Sequence, residues 1–283
     1  MKPYYFLLLC GLLFSKINLH CQAYSYSAIE LQLSNGNYEA ACIVLQKHLV
    51  NQKEDHLANL QYGQCLIKLN EYEKAIEQLK LSKKALADNA NFHFWYGQAY
   101  LSKLNNAQNF FERGIIASKV KEAFEQAVKL DSTNISARNS LVKYYLTAPS
   151  IAGGSLKKAI PHLDYVKSKN PRMGYYELAN YYYRKKEYAL ARKEYEGYLK
   201  VATEKSEVLY LIGFVYQTEK DYQNAFAYFQ KAIEEQPIHA SALYQYARTG
   251  VFTKQNLDRS IQYLTDYIQQ NGMPNGPDLA SAY

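Results

Sequence analysis

SEVLYLIGFVYQTEKDYQNAFAYFQKAIEEQPIH, residues 206–239, reads as two amphipathic helices joined by a tight turn, and this hairpin organises the rest of the chain. With Ser206 as the first position, Ile212 and Gly213 fall at seven and eight, Tyr216 at eleven and Tyr222 at seventeen. Ala225 follows at twenty, Phe229 at twenty-four, Ala232 at twenty-seven and Pro237 at thirty-two. Small side chains stand where two helices must touch, and large ones fill the space beside them. Proline then closes the second helix, since it cannot continue one.

The same frame extends outward in both directions. It predicts units near 22–55, 56–89, 90–134, 135–171, 172–205, 206–239 and 240–272. Gly63, Tyr72, Ala75 and Leu79 keep the frame in the second unit, and Ala179, Tyr182, Tyr188, Ala191 and Tyr195 keep it in the fifth. The third unit opens on frame with Tyr96-Gly97 and Tyr100, but Phe124 and Ala127 arrive late. The segment between, Leu101 to Lys119, has no proline and one glycine, which predicts longer helices with a break at Asn105-Asn106. The fourth unit slips at Ala148-Pro149-Ser150-Ile151-Ala152-Gly153-Gly154, where proline and paired glycines end one helix and Ser155 is placed to cap the next.

A repeat of about 34 residues with this spacing resembles the tetratricopeptide (TPR) repeat. The resemblance implies an all-α superhelix, a TPR solenoid of about seven helical hairpins, whose general task is to hold another protein. Three further stretches are similar to a subgroup of bacterial exported TPR proteins. They are residues 144–155 with the Ala-Pro…Gly-Gly loop, residues 123–131, and 256–260 followed by 276–283. That likeness implies an envelope-facing repeat protein and adds no catalytic residue.

Residues 1–23 read as a signal peptide. Met1-Lys2 is a short basic start, Tyr4 to Phe14 is apolar, and Cys21-Gln22-Ala23 offers small residues at the cut. The apolar run is too short to span a hydrocarbon core of about 30 Å as a helix. The array is thus expected over 24–271, with no membrane span after cleavage and a periplasmic or secreted location. Residues 273–283 read as a tail or as the start of a truncated eighth repeat. Export leaves Cys42 and Cys65, on neighbouring predicted helices; a bridge is permitted in an oxidising compartment, and two buried thiols are the plainer reading.

The formal charge is +7, or +5 once Lys2 and Lys16 leave with the leader. With no dense Lys/Arg block, this balance argues against nucleic acid. The 29 tyrosines match the demand of hairpin positions eleven, seventeen and twenty-four for large semi-polar rings. No Cys/His zinc spacing, HExxH helix, P-loop or nucleophile–base motif is present, so neither enzyme activity, metal nor cofactor is expected.

In TPR stacks the first helices line the concave wall. Positions two, five, nine, twelve and thirteen share one helix face. In this sequence they supply the candidate partner-binding residues Lys68, Phe94, Gln98, Asn139, Lys143, Tyr176, Asn180, Tyr183, Arg184, Tyr210, Phe214, Tyr244 and Arg248. Aromatic rings interleave with amides and bases. Lys68, Lys143, Arg184 and Arg248 outnumber the acids Glu30 and Glu207 on this face. The expected function is therefore a non-enzymatic scaffold that grips a protein or extended peptide, with acidic character favoured. The alternatives are a solvated helix face, an accessory subunit of a cell-envelope complex that docks through its C-terminal end, or a catalytic solenoid acting on envelope polymers, for which this face offers only Glu30 and Glu207, far apart in the repeat order.

Overall fold

The computed structural model describes residues 24–269. The leader expected over 1–23 and the tail expected over 273–283 lie outside the described residues. The described chain is all-α, with fourteen helices in consecutive packed pairs and no strand among those residues. It divides into two compact units, which meet in sequence at Ala137 and Arg138.

The first unit holds α1 (Tyr26–Ser34) and α2 (Tyr38–Asn51), α3 (His56–Lys68) and α4 (Tyr72–Ser82), then α5 (Ala90–Asn106) and α6 (Phe110–Leu130). Helix α7 (Ile135–Thr147) begins at the division. The second unit continues with α8 (Leu156–Lys169), α9 (Pro171–Arg184) and α10 (Tyr188–Val201), α11 (Ser206–Thr218) and α12 (Tyr222–Glu235), and α13 (Ala240–Thr253) and α14 (Leu257–Gln269).

Local chemistry sets the helix starts. Side-chain oxygens of Ser25, Asp55, Asn89, Asn109, Ser155, Asn170 and Asp221 accept from backbone amides of the first turn, satisfying donors that a helix start leaves orphaned. The turns inside the hairpins share one device. Gly36, Asn70, Lys186, Lys220 and Lys254 all have positive φ, between 50° and 80°. Within each unit they sit at the same place in the frame, just past the end of a first helix. A left-handed residue there turns the chain back and lets its amide reach a carbonyl of the finished helix. In the long hairpin the break falls at residues 107–109, just after the predicted Asn105-Asn106, and α5 and α6 run 17 and 21 residues. The slip in the fourth unit is a turn: Pro149 leads a 3-10 turn, Ser150–Ala152, and Gly153 has φ 90°. Tyr144 Oη donates to the Ala152 carbonyl at 2.6 Å and fixes this turn to α7.

Packing inside the hairpins uses glycine against a large side chain. A Cβ on Gly63 would meet Leu79, one on Gly97 would meet Phe124, and one on Gly213 would lie 2.7 Å from Phe229 Cδ1. The core of the second unit runs through Leu209, Ala225, Phe226, Phe229, Ile233, Leu243, Tyr246 and Tyr267, drawn from α11 to α14. Each fully buried aromatic or branched side chain contributes on the order of 1.5–3 kcal/mol by leaving water. No hairpin encloses such a core alone, so each is stable through its neighbour.

Candidate functional site

Most of the sequence-predicted residues lie in the second unit, on the first helices α7, α9, α11 and α13. At one end of the set, Lys143 is paired with Glu177 at 3.2 Å. Glu177 is buried and Lys143 exposed, so the ion pair holds the base of Lys143 at the surface above a buried carboxylate. Asn139 is also buried, at 8% exposure. Asn180 accepts a hydrogen bond from Tyr195 Oη at 2.9 Å, an anchor between α9 and α10. Burial drives the Tyr195 hydroxyl pKa up, so it remains a neutral donor. Tyr176 packs edge-on to Tyr198.

Farther along, rings from successive helices meet. Tyr183 on α9 packs against Phe214 on α11 at 6.0 Å between centroids, and Phe214 packs against Tyr210 at 6.1 Å. Tyr183 Oη and Thr218 Oγ1 share a hydrogen bond of 3.1 Å. Tyr210 is wedged against His239, whose Nε2 lies 3.0 Å from Glu207 Oε2. Burial and the nearby Glu207 carboxylate raise the Tyr210 pKa. Tyr244 packs on Tyr267 of α14.

Beyond Phe214 the surface opens into a cleft of about 290 Å³, lined by Phe214, Gln217, Thr218, Tyr222, Arg248, Thr249 and Phe252. Its floor is a polar clamp: Gln217 Nε2 donates to Gln245 Oε1 at 3.1 Å and to Thr249 Oγ1 at 2.6 Å, holding α11 to α13. Its walls are apolar. Tyr222 and Phe252 pack edge-to-face at 6.2 Å, and Phe252 is 75% exposed. Arg248 is exposed, and among the described residues neither it nor Arg184 enters a salt bridge. A guanidinium flanked by rings can take a carboxylate in two parallel hydrogen bonds while the rings hold an apolar side chain.

In the first unit, Lys68 lies over the rings of Tyr38 and Trp95, at 6.0 and 5.8 Å. Phe94 sits on α5 beside Trp95 and Phe124, and Gln98 lies one turn farther along the same helix. The structure therefore gathers Tyr183, Tyr210, Phe214 and Arg248 along α9, α11 and α13, while Lys143 is engaged by Glu177, Asn180 by Tyr195, and Asn139 is buried.

Sequence reasoning passed over Thr218, Tyr222, Thr249 and Phe252. Thr218 and Phe252 hold position thirteen, so the same frame finds them once every unit is read at that position. Tyr222 and Thr249 carry no such mark; Tyr222 enters the cleft because the start of α12 meets Phe252 near the end of α13, and Thr249 because it bonds to Gln217 of α11. A second, wider opening of about 760 Å³ between α10, α11 and α12 mixes Lys200, Lys205 and Lys231 with Glu234 and Glu235. The described residues contain no cluster of three metal-ligating side chains, and no helix among them is long and apolar enough to cross a membrane.

Comparison with known proteins agrees with this architecture. No curated protein matches the sequence. Among solved structures, the C-terminal part of a TPR repeat-containing protein from Cytophaga hutchinsonii is similar, with a TM-score of 0.60 and 15% identity. That match covers 89% of this chain and 97% of the other. PilW, described as a widely conserved type IV pilus biogenesis factor, matches with a TM-score of 0.57 and 12% identity over 78% of this chain and 95% of that one. A tetratricopeptide repeat protein from Parabacteroides merdae matches with a TM-score of 0.53 and 14% identity, over 83% of this chain and 82% of that one. The model of the tetratricopeptide repeat matches residues 206–239, so the chain carries this repeat in sequence there and shares the fold of tetratricopeptide repeat proteins.

Proposed function

We propose that the protein is a non-enzymatic scaffold of the cell envelope that binds an extended, acidic peptide segment of a partner protein along α9, α11 and α13. The fold supports the general task, since stacked hairpins present long faces suited to holding other chains. The observation that carries the finer reading is the cleft around Phe214, Tyr222 and Phe252, with Arg248 beside it and salt-bridged to none of the described residues. Tyr183 extends the aromatic surface from this cleft toward Arg184. An apolar side chain next to an Asp or Glu fits that order of rings and guanidinium groups.

Peptides selected by display on the intact protein test this reading. The selected sequences should pair an aromatic or aliphatic residue with a carboxylate. The double substitution Tyr183→Ala, Arg184→Ala and the single substitution Arg248→Ala should each weaken the chosen peptide about tenfold or more, the loss of one charge-assisted contact. Undiminished binding by both variants removes this surface from consideration. Export belongs to the same proposal and rests on the pattern of residues 1–23; the mature chain should begin at Tyr24 when its N-terminus is sequenced from the envelope or medium.

A second reading has its own support. Ile261 on α14 is 61% exposed, and with Val251 and Phe252 it leaves apolar surface on the last hairpin. This reading makes the protein an accessory subunit that docks through that hairpin. Ile261→Asp would then break a stoichiometric complex and leave peptide capture intact.

A further inference from the structure

Helix α2 packs on α3, and each contributes one cysteine to the seam. Cys65 is fully buried, and Cys42 is half-buried at the edge of the same apolar cluster, beside Ala41, Leu45 and Ala58. Cys42 packs against the apolar cluster that contains Cys65, so the two thiols act on each other across the α2–α3 seam. Both are free thiols in this structure. Two properties separate them. Cys42 has a face toward solvent, whereas Cys65 has none. The neighbouring Cys65 thiol lowers the Cys42 pKa against the opposing pull of burial, Glu71 and Glu39, while the Cys42 thiol and burial raise that of Cys65. Cys42 is thus the thiol that a reagent in solution can reach, and Cys65 the buried thiol beside it.

Hydrogen bonds of Tyr24 and Tyr26 to Gln61 and Asp55 tie the first hairpin to the start of α3. Helix α1 is only nine residues long and buries only Ile29. The apolar cluster between this hairpin and α3 consists of few buried residues: Ile29, Ala41, Leu45, Leu49, Ala58 and Cys65. A covalent tie at this seam joins the end hairpin to the next one.

We propose that Cys42 and Cys65 are an oxidisable pair whose disulfide fastens the first hairpin to the second. The oxidant is a small disulfide such as oxidised glutathione. The Cys42 thiolate attacks one of its sulfurs, forming a mixed disulfide and releasing one glutathione thiolate. Cys65 then gives up its proton and attacks the Cys42 sulfur, expelling the second glutathione. Two protein thiols are oxidised, and one small disulfide is reduced to two thiols.

The test uses the full chain, fully reduced and then incubated with glutathione buffers of rising oxidation, followed by alkylation and peptide mapping. Mapping resolves Cys42 and Cys65 from Cys10 and Cys21. The expected product is a cross-linked peptide joining Cys42 to Cys65, with alkylation lost at both. Closing this loop should raise Tm by about 5–10 °C, since the tie mainly restricts the unfolded chain. Cys65→Ser should leave a lasting glutathione adduct on Cys42 that the natural chain resolves. If that variant fails to fold, the map of the natural chain decides alone. Thiols that stay alkylatable in the most oxidising buffer, a persistent adduct on Cys42 in the natural chain, or pairing of Cys42 with another cysteine each overturns the proposal.

Discussion

Gly213 has no side chain because Phe229 occupies the place where one would go. A Cβ there would lie 2.7 Å from Phe229 Cδ1 and 2.8 Å from Cε1, and the ring is fully buried and cannot swing away. Gly213→Leu should therefore destabilise the protein by about 1–3 kcal/mol through overpacking, read by urea denaturation. An unchanged midpoint would mean that α11 and α12 do not depend on this approach. Asp55 caps the start of α3. Burial alone would push its carboxyl up, but hydrogen bonds from Tyr26 Oη at 2.6 Å, the Ala58 amide at 3.0 Å and His48 at 2.8 Å outweigh burial and hold it below the usual range. The ionised form is favoured more in the folded chain than in the unfolded one. Its contribution is thus full above the ordinary aspartate pKa of about 3.9 and is lost as pH falls through the lower folded value. Asp55→Ala should cost about 1–2 kcal/mol at pH 7. The gap between variant and natural protein should shrink when denaturation is repeated near pH 3.

At the scale of elements, the hairpin turn is the unit that repeats most faithfully. Lys186, Lys220 and Lys254 adopt the left-handed conformation that glycine holds at Gly36. An L-residue there costs on the order of 1–2 kcal/mol, while glycine costs about 0.5–1 kcal/mol in chain entropy. Lys220→Gly should then stabilise the protein by about 0.5–1 kcal/mol, measured as a higher denaturation midpoint with the slope unchanged. A destabilised variant would show that the Lys220 side chain supplies contacts that the turn geometry conceals. The long hairpin of α5 and α6 follows from the same logic. With no proline in residues 101–119, nothing ends the helices early, and the chain turns only where Asn109 can cap α6.

For the molecule as a whole, stability passes from hairpin to hairpin. Phe226, Phe229 and Ile233 of α12 share one core with Leu243 and Tyr246 of α13 and Tyr267 of α14. A chain ending at Pro237 would bare that side of α12. Hydrogen exchange of the α12 amides should accelerate on the order of tenfold or more, because local opening no longer costs the burial of those side chains. Exchange rates unaltered by the truncation would show that the hairpin of α11 and α12 stands alone. The candidate site depends on the same continuity, since its floor is the Gln217 bond to Gln245 and Thr249 across α11 and α13.

The sequence by itself determined the helices, their pairing and the small-against-large contacts. That information is local: an apolar stripe at helical spacing, a capping residue and a glycine opposite a ring all recur within one repeat, as at Gly213 and Phe229. It also placed Tyr183, Phe214 and Arg248 on first helices, because frame position fixes the helix face. Only the tertiary structure decided that Lys143 is bound to buried Glu177, that Asn180 anchors Tyr195, that lysines hold the left-handed turns, and that Tyr222 and Phe252 complete a cleft beside Arg248. These outcomes join side chains from different helices, and their sense depends on distances of a few ångströms that the repeat spacing leaves free. The contact between Cys42 and Cys65 belongs to the same class. The frame puts the two on neighbouring helices, but only the packing of α2 against α3 sets both beside one apolar cluster.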